Sequence, residues 1–216
     1  MPQLRGRLIT TVGSPAAGKT FLADKLAAYF NAEIIYERPP EGLPAEIKQN
    51  FDTESHLFET ILWFRNRQIQ NHLHAKALLM TGKNVVTDVP LYHNQLFVGA
   101  YIRDRFLQSI LYTMGELDRS LNGYPDCTVY ISTTPELVQE YLAKRIGSRE
   151  WENDRWREIM TTMPTFVEAY MKSIESEIPG LIEVKRADYD FALDADFQRL
   201  VEGIQSIFTS QQKGGN

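Results

Sequence analysis

The chain has 216 residues, 43% of them hydrophobic and 24% charged, with a formal net charge of −5. This is the composition of a soluble globular domain with one full core, and an acidic balance with no Lys/Arg block argues against nucleic acid as the partner. The single cysteine, Cys127, excludes an internal disulfide and suits the reducing cytoplasm, and no apolar run approaches the length of a membrane span.

A short β-branched run over residues 7–12 predicts a buried first strand. It leads into Gly13-Ser14-Pro15-Ala16-Ala17-Gly18-Lys19-Thr20, which fits G-x-x-x-x-G-K-[ST] at every fixed position. The glycines let backbone N–H groups of Ser14, Ala16 and Ala17 curl round phosphate oxygens. Lys19 reaches the β- and γ-phosphates, and the Thr20 hydroxyl ligates Mg²⁺. Phe21, Leu22, Leu26 and Tyr29 follow at helical spacing, so a helix N-terminus faces the anion. With ordinary residue usage this pattern arises by chance in roughly one chain in a hundred of this length. A triphosphate site, with ATP and Mg²⁺ as its occupants, is the expectation.

A second strand over 32–36 ends at Glu37 and Arg38, before the prolines at 39, 40 and 44. One long helix is expected over 53–81, its face mixing Leu57, Ile61, Phe64, Gln68 and His72 as a helix does that is partly core and partly site wall. Residues 85–87 form the third strand, closed by Asp88, and helices fill 93–118. The fourth strand covers 128–131, and Pro135 opens the next helix. A polar, Arg-rich break follows Ile146, then a helix over 154–176, a fifth strand over 181–184 and a last helix over 193–208. Residues 1–209 read as a single domain with a lid at 145–153, and 210–216 as a frayed tail.

Five strands alternating with helices predict an α/β fold, a five-stranded parallel sheet covered on both faces. Right-handed crossovers gather the strand C-termini on one edge, where ligands bind. That edge collects the phosphate loop, Glu37 and Asp88. Asp88 is placed to support Mg²⁺ beside Thr20, or else to cap the next helix. Glu37, fixed on a rigid turn, is placed to accept the proton of an attacking hydroxyl. Arg38 either pairs with Glu37 or touches a phosphate. Lys144, Arg145 and Arg149 suit a lid that stabilises charge on a transferred group. On the long helix, Phe58, Glu59, Trp63, Arg65 and Arg67 offer walls for an acceptor pocket, with Tyr92 beyond Asp88. The four histidines lack metal-ligand spacing.

In this order the motifs resemble the deoxynucleoside kinase family, within the thymidylate-kinase-like P-loop kinases. Tyr36-Glu37 is similar to its motif after the second strand, whose Glu is the general base on the 5′-hydroxyl. Residues 85–88 resemble the strand leading to its D/E-R-S triplet, and 144–152 its Arg-rich lid. Residues 182–191, with Arg186 and Asp188, resemble its fifth strand and adenine-contacting loop. The resemblance implies ATP-dependent phosphorylation of a nucleoside and a homodimer. Two positions depart from it. Asp88-Val89-Pro90 lacks the Arg of the triplet. The base-reading Gln early in the long helix is replaced by Phe58 or Glu59, and a Glu59 that can only accept hydrogen bonds favours a donor-rich base edge such as guanine. Without that Arg, a nucleoside monophosphate or a hydroxyl on a modified base or polynucleotide stays open as acceptor. A nucleotide-dependent switch is a further alternative, but the D-x-x-G and N-K-x-D motifs of GTPases are absent.

Overall fold

The computed structural model describes residues 5–38, 42–145 and 154–213. The strands are β1 (Leu8–Gly13), β2 (Glu33–Ile35), β3 (Val85–Thr87), β4 (Cys127–Ser132) and β5 (Leu181–Lys185). They form one sheet in the order β2-β3-β1-β4-β5, and every pairing is parallel. All six residues of β1 are buried, as a central strand covered on both faces requires.

Between the strands lie α1 (Lys19–Tyr29), α2 (Ala45–Thr53), α3 (Leu57–Met80), α4 (Gln95–Tyr101), α5 (Arg105–Asn122), α6 (Pro135–Arg145) and α7 (Asp154–Ile174), with α8 (Asp194–Lys213) after β5. The alternation of side chains along β1 splits the core in two. Ile9 faces Leu22 and Leu26 of α1 and Leu200 and Ile204 of α8. Val12 faces the other way, towards Leu96 of α4 and Met163 and Val167 of α7. Leu8 and Val85 take Ala75 and Leu79 of α3, and a separate cluster of Ile61, Val98, Ile102 and Leu111 joins α3, α4 and α5. The lone thiol of Cys127 belongs to the first cluster, where burial pushes its pKa up to about 12.

Four boundaries differ from the sequence expectation. The helix expected over 53–81 starts later, at Leu57, and an unanticipated helix, α2, comes before it: Glu54 and His56 both take φ of 51°, in the left-handed region, and turn the chain between α2 and α3. Neither is Gly or Asn, so no local signal marks the break. The helices expected over 93–118 run on to Asn122, with their break at Ile102–Asp104. There the Asp104 carboxylate caps α5 by accepting from the N–H groups of Phe106 and Leu107 at 2.8 and 3.1 Å. The helix expected over 154–176 ends in a 3₁₀ turn at Glu175–Glu177. At the C-terminus α8 runs to Lys213, past the expected start of the tail. Gln211 anchors it, donating Nε2 to the Asp126 carbonyl at 2.8 Å. Among the described residues, no helix is long and apolar enough to cross a membrane.

Candidate active site

The loop between β1 and α1 is shaped by two glycines. A Cβ on Gly13 would stand 2.6 Å from the Ile131 carbonyl oxygen, so the loop can leave the sheet here only without a side chain. Gly18 has φ of 93°, a conformation that L side chains rarely adopt. Ala16 also lies in the left-handed region, at 61°. Such a sequence of turns points successive N–H groups inward as an anion nest. Lys19 reaches back across the loop, its Nζ donating to the carbonyls of Gly13 at 3.0 Å and Ser14 at 2.9 Å. The Ser14 hydroxyl fastens the loop to the end of β4, 2.6 Å from that of Thr133.

The second half of the site comes from β2 and β3, which pair in register at Ile35 and Thr87. Their next residues leave the sheet side by side, and the Glu37 N–H donates to Asp88 Oδ1 at 2.7 Å. Asp88 is thereby fixed at the sheet edge and is not a helix cap. Its main chain is tied to β1 as well, Thr11 Oγ1 donating to its carbonyl at 2.9 Å. Burial raises the Asp88 pKa, while the Glu37 N–H, the Lys19 charge and the Thr20 hydroxyl oppose that rise. Lys19 and Thr20 thus stand near this carboxylate. A carboxylate and a hydroxyl are the hard oxygen donors that Mg²⁺ takes, so these two residues fit that ion.

The Glu37 carboxyl is raised to about 6, first by desolvation and then by the Asp88 charge; Gln68, Lys19 and Arg38 act against it. Gln68 lies on α3 and donates Nε2 to Glu37 Oε1 at 2.8 Å. Its own Oε1 accepts from Asn94, from the backbone N–H at 3.2 Å and from Nδ2 at 2.9 Å. Arg67 donates Nε to the Glu37 carbonyl at 3.4 Å. On its far side Arg67 lines a cavity of about 530 Å³ with Pro44, Trp63 and Asn66. Arg38 is exposed at the turn. Next to the site His93 is 2% exposed, and burial drives its pKa well below the usual value, so the ring is neutral.

Beyond β5 the chain folds back onto the loop. Phe191 lies 3.8 Å from where a Cβ on Gly18 would be. Arg186 stands between the rings of Tyr141 and Phe191, 5.1 Å from each centroid, and donates Nη1 to the Tyr189 carbonyl. Asp188 is exposed on that turn, its N–H bonded to the Lys185 carbonyl at 2.9 Å.

Several expected pocket residues lie elsewhere, and these are corrections. Phe58 packs on the Ile61 cluster. Glu59 is exposed on the first turn of α3, 3.8 Å from His56 Nδ1, and nine residues from Gln68, or about 14 Å along the axis. Arg65 makes a two-pronged bond to Asp118 of α5, both distances 2.6 Å. Tyr92 is 2% exposed, packed with Val12, Met163 and Val167. The Arg145 side chain and Arg149, with the expected lid, lie outside the described residues, as does the Lys144 side chain. Conversely, Gln68, Asn94, His93 and Thr133 had no place in the expected site. The one signal was Gln68, a polar group, with His72, on the mixed face of the long helix read as partly site wall.

No family model matches the chain, and no curated protein matches it in sequence. Solved structures do match. Deoxyadenosine kinase from M. mycoides with bound dCTP superposes with a TM-score of 0.72 at 16% identity, covering 92% of this chain and 99% of that one. The same enzyme with bound dATP gives 0.68 at 18% identity, covering 95% and 99%. With dCMP and dCDP bound it gives 0.66 at 18%, again covering 95% and 99%. The chain therefore has the deoxynucleoside kinase type of P-loop fold along nearly its whole length.

Proposed function

We propose that this protein is a nucleoside kinase, transferring the γ-phosphoryl group of ATP to a hydroxyl of a nucleoside or deoxynucleoside. The reading rests above all on one arrangement: Glu37 and Asp88 leave neighbouring strands joined by a 2.7 Å hydrogen bond, with the Lys19 charge near both carboxylates and the Thr20 hydroxyl near Asp88. The fold shared with deoxyadenosine kinases supports it.

In this reading the N–H groups of Ser14, Ala16, Ala17 and Gly18 hold the phosphates, and Lys19 leaves the loop carbonyls for the β- and γ-phosphate oxygens. Thr20 and Asp88 hold Mg²⁺, which when bound neutralises charge on the phosphate oxygens. Glu37 takes the proton of the acceptor hydroxyl as the new O–P bond forms and the bond to the departing ADP breaks. A carboxyl raised to about 6 is ionised at neutral pH yet basic enough for this work. Arg145 and Arg149 remain the proposed cations over the transferring group, and Arg186 and Asp188 the proposed adenine side. The cavity beside Trp63 and Arg67 falls in the size range of small-molecule pockets, about 300–1,000 Å³, and Arg67, which bonds the Glu37 carbonyl, joins it to the site; it is the proposed place of the acceptor base. A buried, unpaired thiol at Cys127 suits the cytoplasm.

A homodimer is proposed through the outer faces of α3 and α5, where Leu73 and Met80, and Leu117 and Leu121, are more than half exposed. Light scattering that gives a mass near 24.8 kDa would exclude it. The activity itself is tested by incubating the protein and Mg-ATP with a panel of nucleosides and reading the products by mass. A nucleoside monophosphate is expected. ATP turnover only with monophosphates, or none with any acceptor, would contradict the reading.

A further inference from the structure

Three amide side chains behind Glu37 form a line of hydrogen bonds with one direction. Gln95 Nε2 donates to Asn94 Oδ1 at 2.6 Å, Asn94 Nδ2 donates to Gln68 Oε1 at 2.9 Å, and Gln68 Nε2 donates to Glu37 Oε1 at 2.8 Å. All three are nearly inaccessible, 2 to 3% exposed. The orientation of a side-chain amide is commonly ambiguous, because its oxygen and nitrogen look alike. Here it is fixed by the main chain. The atom of Gln68 that faces the Asn94 backbone N–H must be an acceptor, so its NH₂ group has to face Glu37. That choice in turn fixes Asn94, and Asn94 fixes Gln95. The far end is held by shape. Gln95 lies against Gly115 of α5, where a Cβ would stand 2.3 Å from Gln95 Cδ.

We infer that Gln95, Asn94 and Gln68 are a positioning relay that clamps Glu37 by Oε1, so that Oε2 is the oxygen presented to the acceptor hydroxyl. The inference rests on Glu37 being the general base. Bonds aligned in one direction polarise one another, so the clamp is stiffer than a lone amide contact. It also takes Gln68 out of base recognition. Its oxygen already accepts two bonds, and turning the amide towards a base would leave the Asn94 N–H and the Glu37 oxygen unpaired. Substrate choice then falls to other groups, and Gln68 acts on rate.

The test is a double-mutant cycle in steady-state kinetics, on the nucleoside that the wild-type protein phosphorylates. Gln68→Leu removes the donor at similar bulk. Displacing the carboxylate by a fraction of an ångström to an ångström is expected to lower kcat roughly 10- to 100-fold. KM for ATP and for the nucleoside should stay within about threefold, with unchanged order of preference among nucleosides. Asn94→Ala keeps the backbone donor and is expected to lose less, about 3- to 10-fold in kcat. In a Glu37→Gln background neither change should lower kcat further, because the clamped group is gone. A Gln68→Leu variant with unchanged kcat but a raised nucleoside KM or an altered preference overturns the relay, as does full additivity with Glu37→Gln. Should Gln68→Leu fail to fold, Asn94→Ala decides by the same criteria. If Glu37→Gln alone leaves kcat unchanged, the general-base reading fails, and the relay loses its purpose with it.

Discussion

The phosphate loop closes on itself within six residues of chain, Lys19 bonding Gly13 and Ser14. The Glu37 side is assembled from afar. Gln68 is 31 residues away and Asp88 is 51, and Gln68 is held by Asn94 a further 26 residues on. A local turn needs only its own glycines and a helix start, so its geometry follows from its spacing. A carboxylate buried between two strand ends and a helix needs the whole sheet register before it has a neighbour. The two halves should therefore fail differently: changes in the loop should abolish phosphate binding, and changes around Glu37 should spare it.

The largest effect is expected at Lys19. Lys19→Met removes the cation shared by the phosphates and the two carboxylates. It should cost roughly 10³-fold in kcat/KM, with ATP affinity weakened in parallel, measurable by calorimetry. Next comes a contact remote from both halves. Arg65 and Asp118 are a partly buried pair with side chains 16% and 7% exposed. Arg65→Met leaves Asp118 without its partner and should destabilise the fold by about 3 kcal/mol in denaturant titrations. Turnover at low temperature should stay within a few-fold, because Arg65 bonds a helix and not the cleft.

A smaller effect is carried by pH. Glu37 must be ionised to accept a proton, and its pKa is raised to about 6. kcat/KM should rise with pH through about 6 and then level off. The smallest effect is at Glu59. The resemblance makes it, or Phe58, a reader of the base, but its exposed place on the first turn of α3 predicts that Glu59→Gln changes nucleoside preference less than about twofold. A shift towards thymidine in that variant would restore the discarded assignment.

The five strands, their parallel sheet and the phosphate-loop pattern were legible because hydrophobic periodicity and the Gly-Lys-Thr spacing are local signals; the order β2-β3-β1-β4-β5 was not. The rule that ligands meet the strand C-termini singles out Glu37 and Asp88, and the two do come together at that edge. The resemblance puts Phe58 or Glu59 in the place of the base-reading Gln, because both lie early in the long helix. The turn at Glu54–His56, which no Gly or Pro announces, moves its start to Leu57 and brings Gln68 opposite Glu37. The Asp104 cap of α5, unlike that turn, has a local signal, an Asp just ahead of a helix, though the expected elements do not include it. Tyr92 was misplaced because its neighbours, Val12 and Met163, lie 80 and 71 positions away and leave no local trace.

The account turns most directly on phosphoryl transfer by Glu37→Gln, measured with ATP affinity and thermal stability on the same preparation. Turnover is expected to fall at least roughly 100-fold with ATP affinity unchanged. The sign for stability is opposite. A carboxyl whose pKa is higher folded than unfolded costs stability once pH exceeds the ordinary carboxylate value, and the cost is complete above about 6. The variant should therefore be more stable by about 1 to 2 kcal/mol at pH 8 and gain nothing at pH 4. Turnover undiminished by the substitution would show that this carboxylate takes no part in the chemistry.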